Sequence, residues 1–126
     1  IDPREVTEEI SNDNTDFEVD GYRFIETDVI DDTQTEELES DPYVLGAFNA
    51  WFLASILDID TEIIEALQEA EKYEKIGEMV INKGLTSELQ GEYSRMDGYG
   101  HHFSHYDHNE HELLIDGYHY HVFRVN

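Results

Sequence analysis

The tripeptide Asp-Gly-Tyr occurs three times, at Asp20, Asp97 and Asp116, and the first and third copies sit between runs of alternating apolar and polar residues. Asp-Gly in that setting is the strongest local signal for a two-residue hairpin, because both turn positions need positive φ. Pairing across Asp20-Gly21 sets Val19 opposite Tyr22, Glu18 opposite Arg23 and Phe17 opposite Phe24. One face then carries Phe17, Val19, Tyr22 and Phe24, and the other a Glu18–Arg23 ion pair. Pairing across Asp116-Gly117 puts His111, Leu113, Ile115, Tyr118, Tyr120 and Val122 on one face. Glu110, Glu112, Leu114, His119, His121 and Phe123 share the other. A further strand near Tyr99 to His105 would extend this hairpin into a meander, with 107–109 as its loop.

Helical sequence lies between the two hairpins. Asp41-Pro42 reads as an N-cap followed by proline at the first helical position, and the uncharged run "PYVLGAFNAWFLASIL" continues to Leu57. It is shorter than the ~20 residues a membrane-spanning helix requires, so it reads as a buried core helix. A second helix begins at Asp60 or Thr61. It carries Ile63, Ile64, Leu67, Ala70, Tyr73, Ile76 and Val80 at helical spacing and ends at Gly84. A shorter acidic helix is expected around 33–40. Residues 1–15, polar and acidic, read as a flexible acidic arm, and 16–126 as a single α+β domain. Its parts are an N-terminal β-hairpin, two to three central helices and a C-terminal three-stranded antiparallel meander.

Acidic residues number 31 against 7 Lys plus Arg, a formal charge of −24. So large an excess makes the folded chain repel itself, and it is kept because the surroundings screen it or because a partner needs it. It excludes polyanions, nucleic acid and anionic membrane alike, as direct ligands. With no cysteine, a metal site would have to use His and carboxylate. No signal peptide is visible, and the expected location is cytoplasmic.

The junction "FLASILDIDTEIIEAL" resembles a helix-turn-helix. Leu53, Ala54, Leu57, Ile59, Ile64 and Leu67 fall where that motif keeps its apolar contacts, and Asp58 stands where it usually has glycine. The would-be recognition helix, however, carries Asp60, Glu62, Glu65, Glu69 and Glu71, which repel phosphates. A plain helical hairpin is the reading, without DNA binding.

The acids most suited to a partner are Glu26, Asp28, Asp31, Asp32, Glu36, Glu37 and Glu39, then Asp60, Glu62, Glu65, Glu69, Glu71, Glu74 and Glu78. On helices, acids three or four apart lie roughly 5 Å apart along the axis. Such rows approach the charge density of a duplex, one per ~1.7 Å with both strands counted. This is a DNA-mimic surface, and its partner would be a basic nucleic-acid-binding protein of the restriction, CRISPR, nuclease or polymerase class. In size, acidity and lack of cysteine the chain resembles the small antirestriction and anti-CRISPR proteins of bacteriophages, and the stretches "DGYGHHFSHYD" and "YHVFRVN" look like the C-termini of uncharacterised phage proteins. That resemblance implies inhibition by occupancy, in a host cell's cytoplasm, with no catalysis. The alternative is a salt-adapted acidic domain, although eleven isoleucines and eight tyrosines sit poorly with extreme halophily.

The segment "GYGHHFSHYDHNEHE", residues 98–112, packs five histidines and three acids into fifteen positions. Glu110, Glu112, His119 and His121 are the candidate metal ligands, because the two histidines face one way with Glu112 opposite His121. The spacing matches no known ligand motif, so the expectation is no cofactor beyond an adventitious divalent metal, with His119 and His121 on the wet face of the meander. No nucleophile turn or phosphate loop accompanies Ser94 or Ser104, so the chain does not read as an enzyme. Trp51 and Phe52, or the exposed edge of the meander, are the surfaces through which a homodimer would form.

Overall fold

The computed structural model describes residues 1–126, and they form a mixed α+β structure that divides into two compact units. The first consists of residues 1–31 and 94–126, the second of residues 32–93.

The first unit is built on one four-stranded antiparallel sheet. Its strands are β1 (Asp16–Val19), β2 (Tyr22–Glu26), β3 (His111–Ile115) and β4 (Tyr118–Arg124), in the order β1-β2-β4-β3. Both Asp-Gly turns have the anticipated conformation, with φ of 51° and 83° at Asp20 and Gly21 and 52° and 86° at Asp116 and Gly117. The registers follow from those turns: Phe17 faces Phe24 and Val19 faces Tyr22, while Ile115 faces Tyr118 and Leu113 faces Tyr120. The third partner differs from expectation. β4 pairs on its other side with β2, Phe24 against Val122, so the two hairpins merge into one sheet. There is no strand near Tyr99 to His105. The second Asp-Gly, at Asp97, ends a helix, with Gly98 at φ 69° and its N–H bonded to Ser94 O, and Gly100–Phe103 forms the short helix α8.

Each sheet face has its own apolar layer. On one face Phe17 stacks on Phe24 with ring centroids 4.9 Å apart, Tyr120 meets both edge-on, and Val19 and Val122 complete the cluster. Helix α1 (Pro3–Ser11) adds Ile10 and Val6 to it. The segment expected to be an arm is thus helical, with Asp2 capping it by accepting from Arg4 N. On the opposite face Ile25 and Phe123 pack with Phe103 of α8 and with Val29 and Ile30 of α2 (Thr27–Glu39). Arg23 leaves its cross-strand neighbour Glu18 and reaches the diagonal Asp16, making bonds of 2.6 and 2.8 Å while its guanidinium lies 5.0 Å from the Phe103 ring. The expected Glu18–Arg23 pair is therefore replaced by a bidentate Arg23–Asp16 pair.

The second unit is helical. Between the ends of α2 and α7 (Thr86–Asp97) run α3 (Pro42–Gly46), α4 (Ala50–Leu57), α5 (Thr61–Glu69) and α6 (Tyr73–Asn82). Leu38, Leu45, Leu53, Ala54, Leu57, Ile64, Ile76, Val80 and Leu89 form its core. The two long helices expected from the sequence are each broken. Asn49 restarts the first as the N-cap of α4, accepting from Phe52 N at 3.1 Å. The second stops at Glu71, which takes φ 60° while Lys72 N–H bonds back to Leu67 O. That is a Schellman ending with glutamate where glycine is usual. Asp58 ends α4 in the same way, at φ 56° with Ile59 N–H on Ala54 O.

Helices α3 and α6 touch through glycines. A Cβ on Gly46 would overlap the Tyr73 carbonyl, and one on Gly77 would overlap the Pro42 carbonyl. The carbonyls left by the break after α3 are met by Gln68, whose Nε2 donates to Gly46 O at 3.0 Å and Phe48 O at 2.8 Å. A buried amide pair links Gln90 Nε2 to Gln34 Oε1 at 2.8 Å.

Candidate functional site

Negative charge is divided evenly between the units. The first holds sixteen acids and four bases, the second fifteen and three, a formal −12 in each. The candidate acids therefore lie on both: Glu26, Asp28 and Asp31 on the first, and the rest, from Asp32 to Glu78, on the second. Eleven of the fourteen are exposed; Glu26, Glu37 and Glu78 are half-buried.

Helical geometry decides which acids act together. On α2, Asp28, Asp31, Asp32, Glu36 and Glu39 fall on one stripe, with Glu37 on the far side of the helix. Over this span, about 16 Å at ~1.5 Å per residue, the five charges average roughly 4 Å apart, close to the ~3.4 Å spacing of phosphates along a single DNA strand. On α5, Glu62, Glu65 and Glu69 form a second stripe. Glu71 does not continue a row with Glu74 and Glu78, because it sits in the turn between α5 and α6. Lys75 is 3.4 Å from Glu78, Arg23 is on Asp16 and Arg4 lies by Asp2. Asp28, Asp32, Glu36, Glu39, Glu62, Glu65 and Glu69 make no salt bridge.

The histidine-rich segment is dispersed by the fold. His101 and His102 lie on α8, and His105 and His108 in the following loop. His111 is on β3, and His119 and His121 are on β4. The His101 and His108 rings approach to 5.1 Å, and the loop folds back so tightly that a Cβ on Gly100 would overlap the His108 carbonyl. Ser104 is buried, its Oγ 2.8 Å from Asp107 Oδ1 and 3.0 Å from Arg124 O. Asp107 also accepts from Asn109 N–H, and these bonds hold its carboxyl below the usual range.

The candidate ligands His119 and His121 do not share a wet face. His119 is exposed, but His121 is only 5% exposed, set edge-on to the Tyr99 ring and stacked over Phe123. The exposed residues are instead on β3, where Leu113 and Leu114 are 43% and 66% exposed. The reason is position: β3 is the outer strand, whereas β4 lies inside the sheet beneath α8. Around His121 the geometry is that of a hydrogen-bonded pair. Its Nδ1 lies 3.3 Å from Glu110 Oε2, and Glu112 Oε1 is further away at 3.8 Å. No group of three His or carboxylate side chains is arranged to hold a metal ion.

Tyr99 borders the same cluster, a residue that sequence reasoning placed in a strand. Its hydroxyl donates to Asp31 Oδ1 at 2.7 Å. Burial, and then the Asp31 carboxylate, push this phenol up to about 12, with Glu110 adding in the same direction. Tyr99 is thus a fixed hydrogen-bond donor at neutral pH, and Asp31 is the one acid of the α2 stripe already committed to a bond of this kind. The Asp31–Tyr99 and His121–Glu110 pairs each orient a ring side chain. Comparison with protein-family models, with curated proteins and with solved structures finds no match to this chain.

Proposed function

We propose that this protein is an acidic inhibitor of DNA-mimic type that occupies the basic nucleic-acid-binding cleft of another protein. The observation that carries the reading is the α2 stripe: five carboxylates on one helix face at nearly the linear charge spacing of a nucleic-acid strand. The unpaired row on α5 supports it. Acids held on helices are preorganised, so a basic cleft gains their attraction without first ordering them, and the long-range field speeds encounter. The reading needs no catalytic group or cofactor. The targets it points to are restriction enzymes, CRISPR effectors, nucleases and polymerases, and its setting is a host cytoplasm.

The test is inhibition of a panel of such enzymes, with duplex DNA added as competitor and salt raised in steps. Inhibition that competitor duplex relieves and that weakens steeply with salt is the expected result. Replacing Asp28, Asp32, Glu36 and Glu39 with the corresponding amides should weaken it more than any single change. An absence of inhibition across the panel at low salt overturns the proposal.

One observation favours a second reading. The equal division of charge between two compact units is what a salt-adapted surface would have, since screening acts everywhere and not at one face. On that reading the protein inhibits nothing and needs molar salt to stay folded.

A further inference from the structure

Trp51 is 70% exposed, although the unit that carries it has an apolar core of its own. Indole is rarely left so open, and exposed tryptophans are over-represented where a partner is gripped. It stands at one end of a stripe on α4, with Ser55 one turn and Asp58 two turns further on, all exposed, while Leu53 and Leu57 face the core. These three residues, with Asp60 and Thr61 at the start of α5, line a shallow recess floored by Ala54 and Ile59.

The two carboxylates at this recess are uncommitted. An aspartate at an N-cap usually folds back to accept a first-turn N–H, yet Asp60 makes no such bond. Neither Asp58 nor Asp60 has a salt bridge. The turn that presents them is fixed by backbone, through Asp58 at φ 56° and the Ile59 N–H to Ala54 O bond.

We propose that this recess is a socket for an arginine side chain of a basic partner protein, which names one anchor within the interaction proposed above and rests on that reading. The guanidinium is the group whose two properties the recess meets at once. Its planar face stacks on indole, and its N–H fork satisfies carboxylates. Lysine offers a point charge without the planar face. A nucleotide would stack on Trp51 but bring its phosphate to Asp58 and Asp60. A second copy of this chain brings another −24 to the contact.

Trp51 is the sole tryptophan, so its emission reports on the recess directly. The probes are an acetylated, amidated tri-arginine peptide and the same peptide with citrulline, which keeps the shape and removes the charge. Tri-arginine should give a saturable change in emission, with citrulline at least ~10-fold weaker and tri-lysine intermediate. The double variant Asp58→Asn, Asp60→Asn should lose about 10-fold in affinity; asparagine tolerates the left-handed turn, and circular dichroism verifies the fold. An equal response to citrulline, an unchanged affinity in the double variant, or no calorimetric binding of tri-arginine each overturns the socket. Peptide bound calorimetrically with Trp51 silent removes the socket but leaves the acidic rows as the binding surface. A Trp51 response that depends on both aspartates, in a protein that inhibits no enzyme of the panel, keeps the socket and removes the mimic reading.

Discussion

Gly77 lies against the Pro42 carbonyl so closely that a single added carbon would occupy the same space. Helix α6 can meet α3 only because this position, like Gly46 opposite Tyr73, has no side chain. Gly77→Ala and Gly46→Ala should each destabilise the helical unit by at least ~1–3 kcal/mol, the usual cost of overpacking, because the obstructing atoms are backbone and cannot swing away. Gly91, in α7, has open space around it. Gly91→Ala should stabilise by roughly 0.5–1 kcal/mol through helix propensity. Urea unfolding of the three variants checks the contrast.

Gln68 is the second structural key of that unit. Gln68→Met keeps the volume and removes both donors, leaving the carbonyls of Gly46 and Phe48 without them. The expected cost is about 1–3 kcal/mol, read as a lower urea midpoint at unchanged slope. Amide exchange in α3 and at the start of α4 should quicken more than exchange in α6.

Two helix endings carry strain that glycine would relieve. Glu71→Gly should stabilise by about 0.5–1 kcal/mol, since a left-handed glutamate costs more than the extra flexibility of glycine in the unfolded chain. Asp58→Gly should gain less, because aspartate tolerates that conformation better. Thermal melts at constant salt distinguish the two; a loss of stability in Glu71→Gly contradicts the account.

Tyr99 makes stability depend on alkaline pH. Its folded-state value is raised to about 12 from 10.0. The contribution is therefore complete below pH ~10 and is lost as pH rises toward the folded value. Wild type should lose stability through that window more steeply than Tyr99→Phe. Tyr120 is also raised by burial, so the difference between the two proteins isolates Tyr99. Parallel denaturation curves at every pH from 9 to about 12 would contradict the assignment.

What could be read from the sequence was local chemistry. Asp20-Gly21 and Asp116-Gly117 dictate their turns, and each turn dictates a register, so both hairpins pair as the alternation requires. Pairing of Phe24 with Val122 depends on residues almost a hundred positions apart, and no local pattern encodes it. That pairing also determines the histidines: once β4 is an inner strand, His121 is covered and β3 is left outermost. The break at Asp58 was legible, since the apolar run ends at Leu57 and a new helix starts beyond it, but the break at Glu71 was hidden because that residue is not the glycine that normally signals one. Helix α7 was missed because Leu89, Tyr93 and Met96 are its only large apolar residues. The acids were legible as a composition, but their sorting into rows needed the helix boundaries. The recess beside Trp51 needed the turn that sets α5 against α4.

The seam between β2 and β4 has a consequence for how the protein is made. β2 leaves the ribosome long before β4 has been synthesised, and the residues of the helical unit all emerge in the interval. Those helices can find one another while translation continues, whereas Phe24 and Ile25 must wait for Val122 and His121 with one sheet edge open. During that wait the acids flanking β2 have an extra role: like charges on neighbouring nascent chains discourage exposed strand edges from pairing with each other before the proper partner arrives.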